Sequence, residues 1–156
     1  MLYVVAAFGL SAVGILMKGL LHLSLADVVV ILALPVMFLY KLLGNRPSFF
    51  AFGGIIGSFA GGISAFYGYV IVPIQYYYEL WGWMGVVLGV VAFLLFIIPE
   101  LILFLVVAYI KGEAAVYIGE FFSGICFGIA GVCLLNSAFS WSIWSRFSRK
   151  KSDEAL

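Results

Sequence analysis

Charge is what this sequence has least of. Only 10% of its 156 residues are Asp, Glu, Lys or Arg, against 66% hydrophobic. A soluble globular domain is about 25% charged, so no water-facing surface can be built from this composition. The formal net charge is +1, which leaves no basic field to hold nucleic acid. Histidine occurs once, at His22. A haem held by two histidines within the chain is thereby excluded, and a serine–histidine pair could draw only on that ring, with no GxSxG present. Cys126 and Cys133 do not form CxxC, and their spacing sets them about 10 Å apart along a helix, too far for an intrahelical disulfide. They read as small apolar fillers. No residue cluster resembles a zinc site. An intramembrane aspartyl protease needs acids from two spans, and Asp27 and Asp153 cannot supply them. Carboxylates do not gather as metal-dependent lipid phosphotransfer would require. No cofactor or metal is expected. The N-terminus, MLYVVAAFGLSAVG, lacks a basic n-region and a small-residue cleavage site, so it reads as a retained span; no lipidation motif is visible.

Long apolar runs are what the chain has in abundance. Residues 83–111 read WMGVVLGVVAFLLFIIPELILFLVVAYIK, with one carboxylate, Glu100, inside. A run of about 18 or more apolar residues is long enough to cross a bilayer. Uniformly apolar stretches of this length exclude barrel strands, which alternate polar and apolar residues over about ten positions, and leave helices. The expected fold class is all-α: a polytopic integral membrane bundle with about five transmembrane helices, over roughly 2–21, 27–43, 49–72, 83–110 and 114–139, followed by a polar, frayed cytoplasmic tail, 146–156. The alternative is four crossings, with segment 83–111 entering, breaking at Pro99 and returning. Pro73 is expected to stop the third segment, with a short aromatic hairpin, QYYYELW, after it.

Tyr76, Tyr77, Tyr78, Trp81 and Trp83 form one aromatic belt, and Trp141 and Trp144 another, as interface anchors. Arg146, Arg149, Lys150 and Lys151 put the C-terminus in the cytoplasm of a cell (inner) membrane by the positive-inside rule. With five crossings Lys18 joins those four inside, while Lys41, Arg46 and Lys111 lie outside. With four crossings Lys41 and Arg46 move inside, which the charge rule prefers and segment length opposes.

Small residues mark packing faces. Gly53, Gly57 and Gly61 recur every four residues with Ala65 continuing the row, and Gly54, Ser58 and Gly62 make a second row. In the fifth segment Gly124 and Gly128 stand in register with Glu120. Such rows let helix backbones approach closely in lipid, where no hydrophobic drive brings helices together. The partner helix is expected in the same chain; a homo-oligomer or another membrane protein is the alternative.

Charge at depth gives the candidate sites. Glu100 has only apolar residues along its own helix face and nothing there to pair with. Three roles are open to it: a hydrogen bond to a neighbouring span, a proton or cation site in transport, or contact with a partner subunit. Pro99 removes a helix hydrogen bond beside it, and a broken helix next to an acid recurs at ion sites. Glu120 is expected near an interface, in reach of Lys111 or Lys18. Asp27 and Lys41 are placed at the two interfaces.

The stretch SLADVVVILALPVMFLYKLLGNRP, residues 24–47, resembles the amino-terminal spans of O-antigen ligase and polymerase proteins, mostly through apolar composition. The large extracytoplasmic loop that carries those enzymes' functional residues has no counterpart here, so the resemblance assigns no role to a residue of this chain. The leading functional expectation is a non-catalytic, multi-pass membrane protein: a subunit or accessory component of a membrane assembly, with lipid and a membrane-protein partner around it. A small transporter or channel using Glu100 is the second expectation, and an envelope-glycan or lipid-handling enzyme the third.

Overall fold

The structure is a computed structural model. It describes residues 1–43, 49–95, 97–112 and 114–153; side chains are described at all of these except 21, 49–50, 97–100, 114, 117 and 141–153. No strand occurs among the described residues.

The chain opens with α1 (Leu2–Lys18), closed by Gly19, whose φ of 76° turns the backbone out of the helix. A short 3₁₀ turn, Leu20–His22, leads into α2 (Leu25–Leu43). Then comes α3 (Phe49–Phe66), which passes through a π-helical segment, Tyr67–Ile71, straight into α4 (Val72–Trp81). Pro73 therefore does not stop the third segment, and QYYYELW is helix rather than hairpin. Proline lacks an N–H, and its ring crowds the carbonyl four residues back, here Tyr69. The widened π turn falls on that carbonyl, and the helix continues past it.

Segment 83–111 is two helices, α5 (Trp83–Leu94) and α6 (Ile97–Lys111), with a turn at Leu95. A continuous helix would drive the Pro99 ring against the Leu95 carbonyl. Ending α5 at Leu94 instead puts Pro99 in the first turn of α6, where no N–H is needed. The last helix, α7 (Ala114–Asp153), is 40 residues long and carries the helix through the stretch from Arg146 that reads as a frayed tail.

Among the described residues, three helical stretches are long and apolar enough to cross a membrane: Leu25–Leu43, Ala51–Trp81 and Ile118–Ser140. Leu2–Lys18, Trp83–Leu94 and Leu101–Lys111 are shorter apolar helices.

Two long helices cross at the centre of the molecule. Gly61 lies against the Gly131 backbone, Gly68 against Gly124, and Gly128 against Ala65. This antiparallel contact of α3 and its π segment with α7 is backbone on backbone, which only small residues allow. At one end of the crossing, α1 and α2 form a hairpin: α1 packs on α7, with Gly14 under the Phe127 ring, and α2 packs on α3, with Gly53 against Val36 and Gly57 against Ala33. At the other end α5 folds back along α4, its Gly85 and Gly89 against Tyr77, and α6 returns beside α4 and α7. Lys111, the last residue of α6, pairs with Glu79 and stands 4.9 Å from the Tyr76 ring centroid.

Each end has its own core. Val4, Val30, Met37, Phe127 and Leu134 fill the first, and Tyr77, Phe104, Val107 and Phe121 the second, where Phe104 and Phe121 stack at 5.1 Å. In the second core aromatic rings from α4, α6 and α7, namely Tyr77, Phe104 and Phe121, fill the space between the hairpin and the long helices.

Candidate functional site

The first hairpin turn builds a polar site. Ser24, Leu25, Ala26 and Asp27 make a capping box: the Asp27 N–H donates to Ser24 Oγ at 3.2 Å, and the Ser24 N–H donates to Asp27 Oδ2 at 2.8 Å. The box turns the Asp27 carboxylate back over the start of α2. Lys18, in the last turn of α1, donates from Nζ to the same Oδ2 at 3.0 Å. On α3, Ser64 Oγ donates to Asp27 Oδ1. Three helices thus meet on one carboxylate.

The site is dry: the side chains of Lys18 and Asp27 are 7% and 0% exposed. A lone ion in such a place is costly enough that it is normally neutralised or paired. Here the pair is neutral as a unit, and hydrogen bonds satisfy most of what remains, which is the condition under which a buried salt bridge persists. Both charges also suit the helix ends they occupy, a cation at a C-terminus and an anion at an N-terminus. A carboxylate has about four acceptor positions, and Asp27 receives donors from Lys18, Ser24 and Ser64. Little of it is left to bind an ion. Among the described residues no group of three His, Cys, Asp or Glu could hold a metal.

Sequence reasoning places Asp27 at an interface and leaves Ser64 unnamed; in the structure Asp27 is fully buried and bonded to Ser64. The visible signal is the Ser-x-x-Asp spacing at residues 24–27, a capping box in a chain with few other polar pairs.

The other expected site residues are dispersed. Glu100 is helical backbone in the first turn of α6, and its side chain lies outside the described residues. Glu120 is half-buried on α7, but the lysines expected beside it pair elsewhere, Lys18 with Asp27 and Lys111 with Glu79. Of the glycines, Gly53 and Gly57 face α2, whereas Gly61, Gly124 and Gly128 line the α3–α7 crossing. Cys126 and Cys133 are free thiols on α7. The hydroxyls of Ser11, Ser123 and Ser137 are buried without a partner among the described residues.

Among the described residues, apolar grooves run along the outside. One of about 550 Å³ and a second of about 490 Å³ share Gly62, Phe66 and Val132 and follow the α3–α7 seam. A third, of about 520 Å³, separates α5 from α6 between Leu88 and Val106. None of the three is lined by Asp, Glu, His, Lys or Arg.

No family profile, curated protein or solved structure matches this chain.

Proposed function

We propose that this chain is a multi-pass membrane protein that works as a non-catalytic component of a larger membrane assembly. The observation that carries the reading is the closed state of the buried charge. Asp27 gives its acceptors to Ser24, Ser64 and Lys18, so this buried carboxylate fastens helices and is not left open to a ligand. The outside supports it too. Large side chains face outward at both ends, among them Leu2 at 79%, Trp83 at 76% and Leu94 at 70% exposure. Such a surface is covered by lipid or by other membrane helices.

The test is purification in mild detergent under conditions that preserve complexes. A foreign membrane protein recovered in fixed stoichiometry is the expected result. A lone monomer or homo-oligomer overturns it.

One observation favours a second reading, a small transporter or channel. The break before Pro99 makes Glu100 a first-turn residue of a short helix, and broken helices near acids recur at ion sites. Reconstituted protein would then carry a proton or cation flux that Glu100→Gln abolishes. Equal flux from both proteins, or none from either, removes this reading.

A further inference from the structure

We infer that the chain is an inverted repeat, residues 2–81 and 83–153, whose two hairpins enter the membrane from opposite faces and meet inside it. This goes beyond the proposed function, since it concerns how the molecule sits in the bilayer and stands or falls independently of any partner.

Each half has the same parts in the same order: a hairpin of two shorter helices, then a long one. In the first half these are α1, α2 and the α3–α4 helix; in the second, α5, α6 and α7. The contacts repeat with the halves exchanged. α1 packs on α7, and α5 packs on α4; α2 packs on α3, and α6 packs on α7. Each hairpin therefore lays its first helix on the other half's long helix and its second on its own.

Residue patterns follow the same exchange. Ala7, Ser11 and Gly14 are the small buried residues of α1, and Gly85, Gly89 and Ala92, with the same spacing, are those of α5. An acid stands in the first turn of each second helix, Asp27 in α2 and Glu100 in α6, and a lysine in the last turn, Lys41 and Lys111. On the long helices Gly61, Ala65 and Gly68 match the spacing of Gly124, Gly128 and Gly131. These six pair reciprocally, first with last, as a two-fold axis through the crossing demands. Inverted repeats of this kind place their axis in the plane of the membrane.

Depth follows from the contacts. The first hairpin's turn is fastened to Ser64 through Asp27, and the second hairpin's end is held by Phe93, 5.8 Å from Tyr69. Both turns thus stop against the same part of one long helix, from opposite directions. With 12 and 15 residues, α5 and α6 measure about 18–22 Å and stop short of crossing a hydrocarbon layer about 30 Å thick, whereas α1 and α2, with 17 and 19 residues, reach about 25–28 Å. Polar backbone at that depth needs protein partners; at the first turn Asp27 and Ser64 supply them, while the leucines beside the turns, Leu20, Leu25, Leu94 and Leu95, face outward.

Single cysteines on a Cys126→Ser, Cys133→Ser background test the placement, using a membrane-impermeant maleimide on sealed vesicles of known sidedness. Trp83→Cys and Ala115→Cys flank the second hairpin and should label from one face. Leu43→Cys should label from the other. Leu23→Cys and Leu95→Cys, at the two turns, should stay unlabelled until the protein is denatured. Labelling of Trp83→Cys and Ala115→Cys from opposite faces overturns the inference, because segment 83–111 would then cross once. So does labelling of Leu23→Cys from the Trp83 face. Met84→Cys and Val116→Cys replace the first pair if either fails to accumulate.

Discussion

Asp27 joins three helices at one carboxylate. It closes its own helix, holds Lys18 of α1 and receives Ser64 of α3. Removing one member of a buried pair leaves an uncompensated charge, at a cost of about 3–5 kcal/mol, whereas replacing both by apolar residues is far milder. Lys18→Met and Asp27→Leu should each lower the thermal midpoint in detergent severely, and the double variant should recover most of the loss. A double variant as unstable as the sum of the two singles would show that the residues act independently. Ser64→Ala tests the third arm and should cost about 1.5–3 kcal/mol, the range for a hydrogen bond to a charged group. How this site escapes sequence reading is physical. The Ser24–Asp27 box is local and legible, but the hydropathy boundary at Asp27 suggests an interface, and Ser64 lies 37 residues away in an apolar helix. Nothing local says that the turn after Lys18 is covered by α3.

Glycines set the geometry between elements, and those in α3 do not share one role. A Cβ on Gly61 would sit 2.6 Å from the Gly131 Cα, and one on Gly68 2.9 Å from the Gly124 Cα. Both obstacles are backbone, which cannot turn aside. Gly61→Ala or Gly68→Ala must push the two long helices apart and lose contact along the whole crossing. Gly62, one residue on, has nothing within 4 Å of where its Cβ would be. Gly62→Ala should therefore stabilise the protein, by about 0.5–1 kcal/mol from helix propensity alone. Thermal melts of the three variants in one detergent check the contrast; a Gly61→Ala midpoint equal to or above that of Gly62→Ala would contradict the crossing. The two glycine rows are plain in the sequence, since their spacing is the helix period. Which row faces which helix is not, because that depends on the rotation of α3, fixed by Asp27 at one end and Met37 and Ala138 against Gly54 at the other. The break in segment 83–111 is half legible in the same sense. Pro99 announces it, but the return of α6 beside α4 and α7 rests on Lys111 reaching Glu79 of α4 and on Phe104 stacking with Phe121 of α7, contacts that no hydropathy window contains.

At the scale of the whole molecule, length and bilayer thickness are in tension. The helix Ala51–Trp81 has 31 residues and so measures about 46 Å, against about 30 Å of hydrocarbon. On the proposed membrane placement, its end from Tyr76 to Trp81 sits at the headgroups, where the exposed Tyr78 and Trp81 settle. That leaves about 37 Å to fit, which a tilt of about 35° achieves, near the upper end of what membrane helices show. Tilting is favoured over an upright stance because α5 is apolar all round: an upright bundle would lift Val87, Leu88 and Val91, each about half exposed, towards water. Site-specific ¹⁵N labels at Ala60 and Val70 in oriented bilayers measure the angle directly. It should fall as lipids with longer acyl chains thicken the membrane, since the mismatch that drives it shrinks. An angle near zero in bilayers of ordinary thickness, unchanged in thicker ones, would mean that the α5–α6 hairpin lies outside the hydrocarbon, and its apolar face would then need cover from protein instead of lipid.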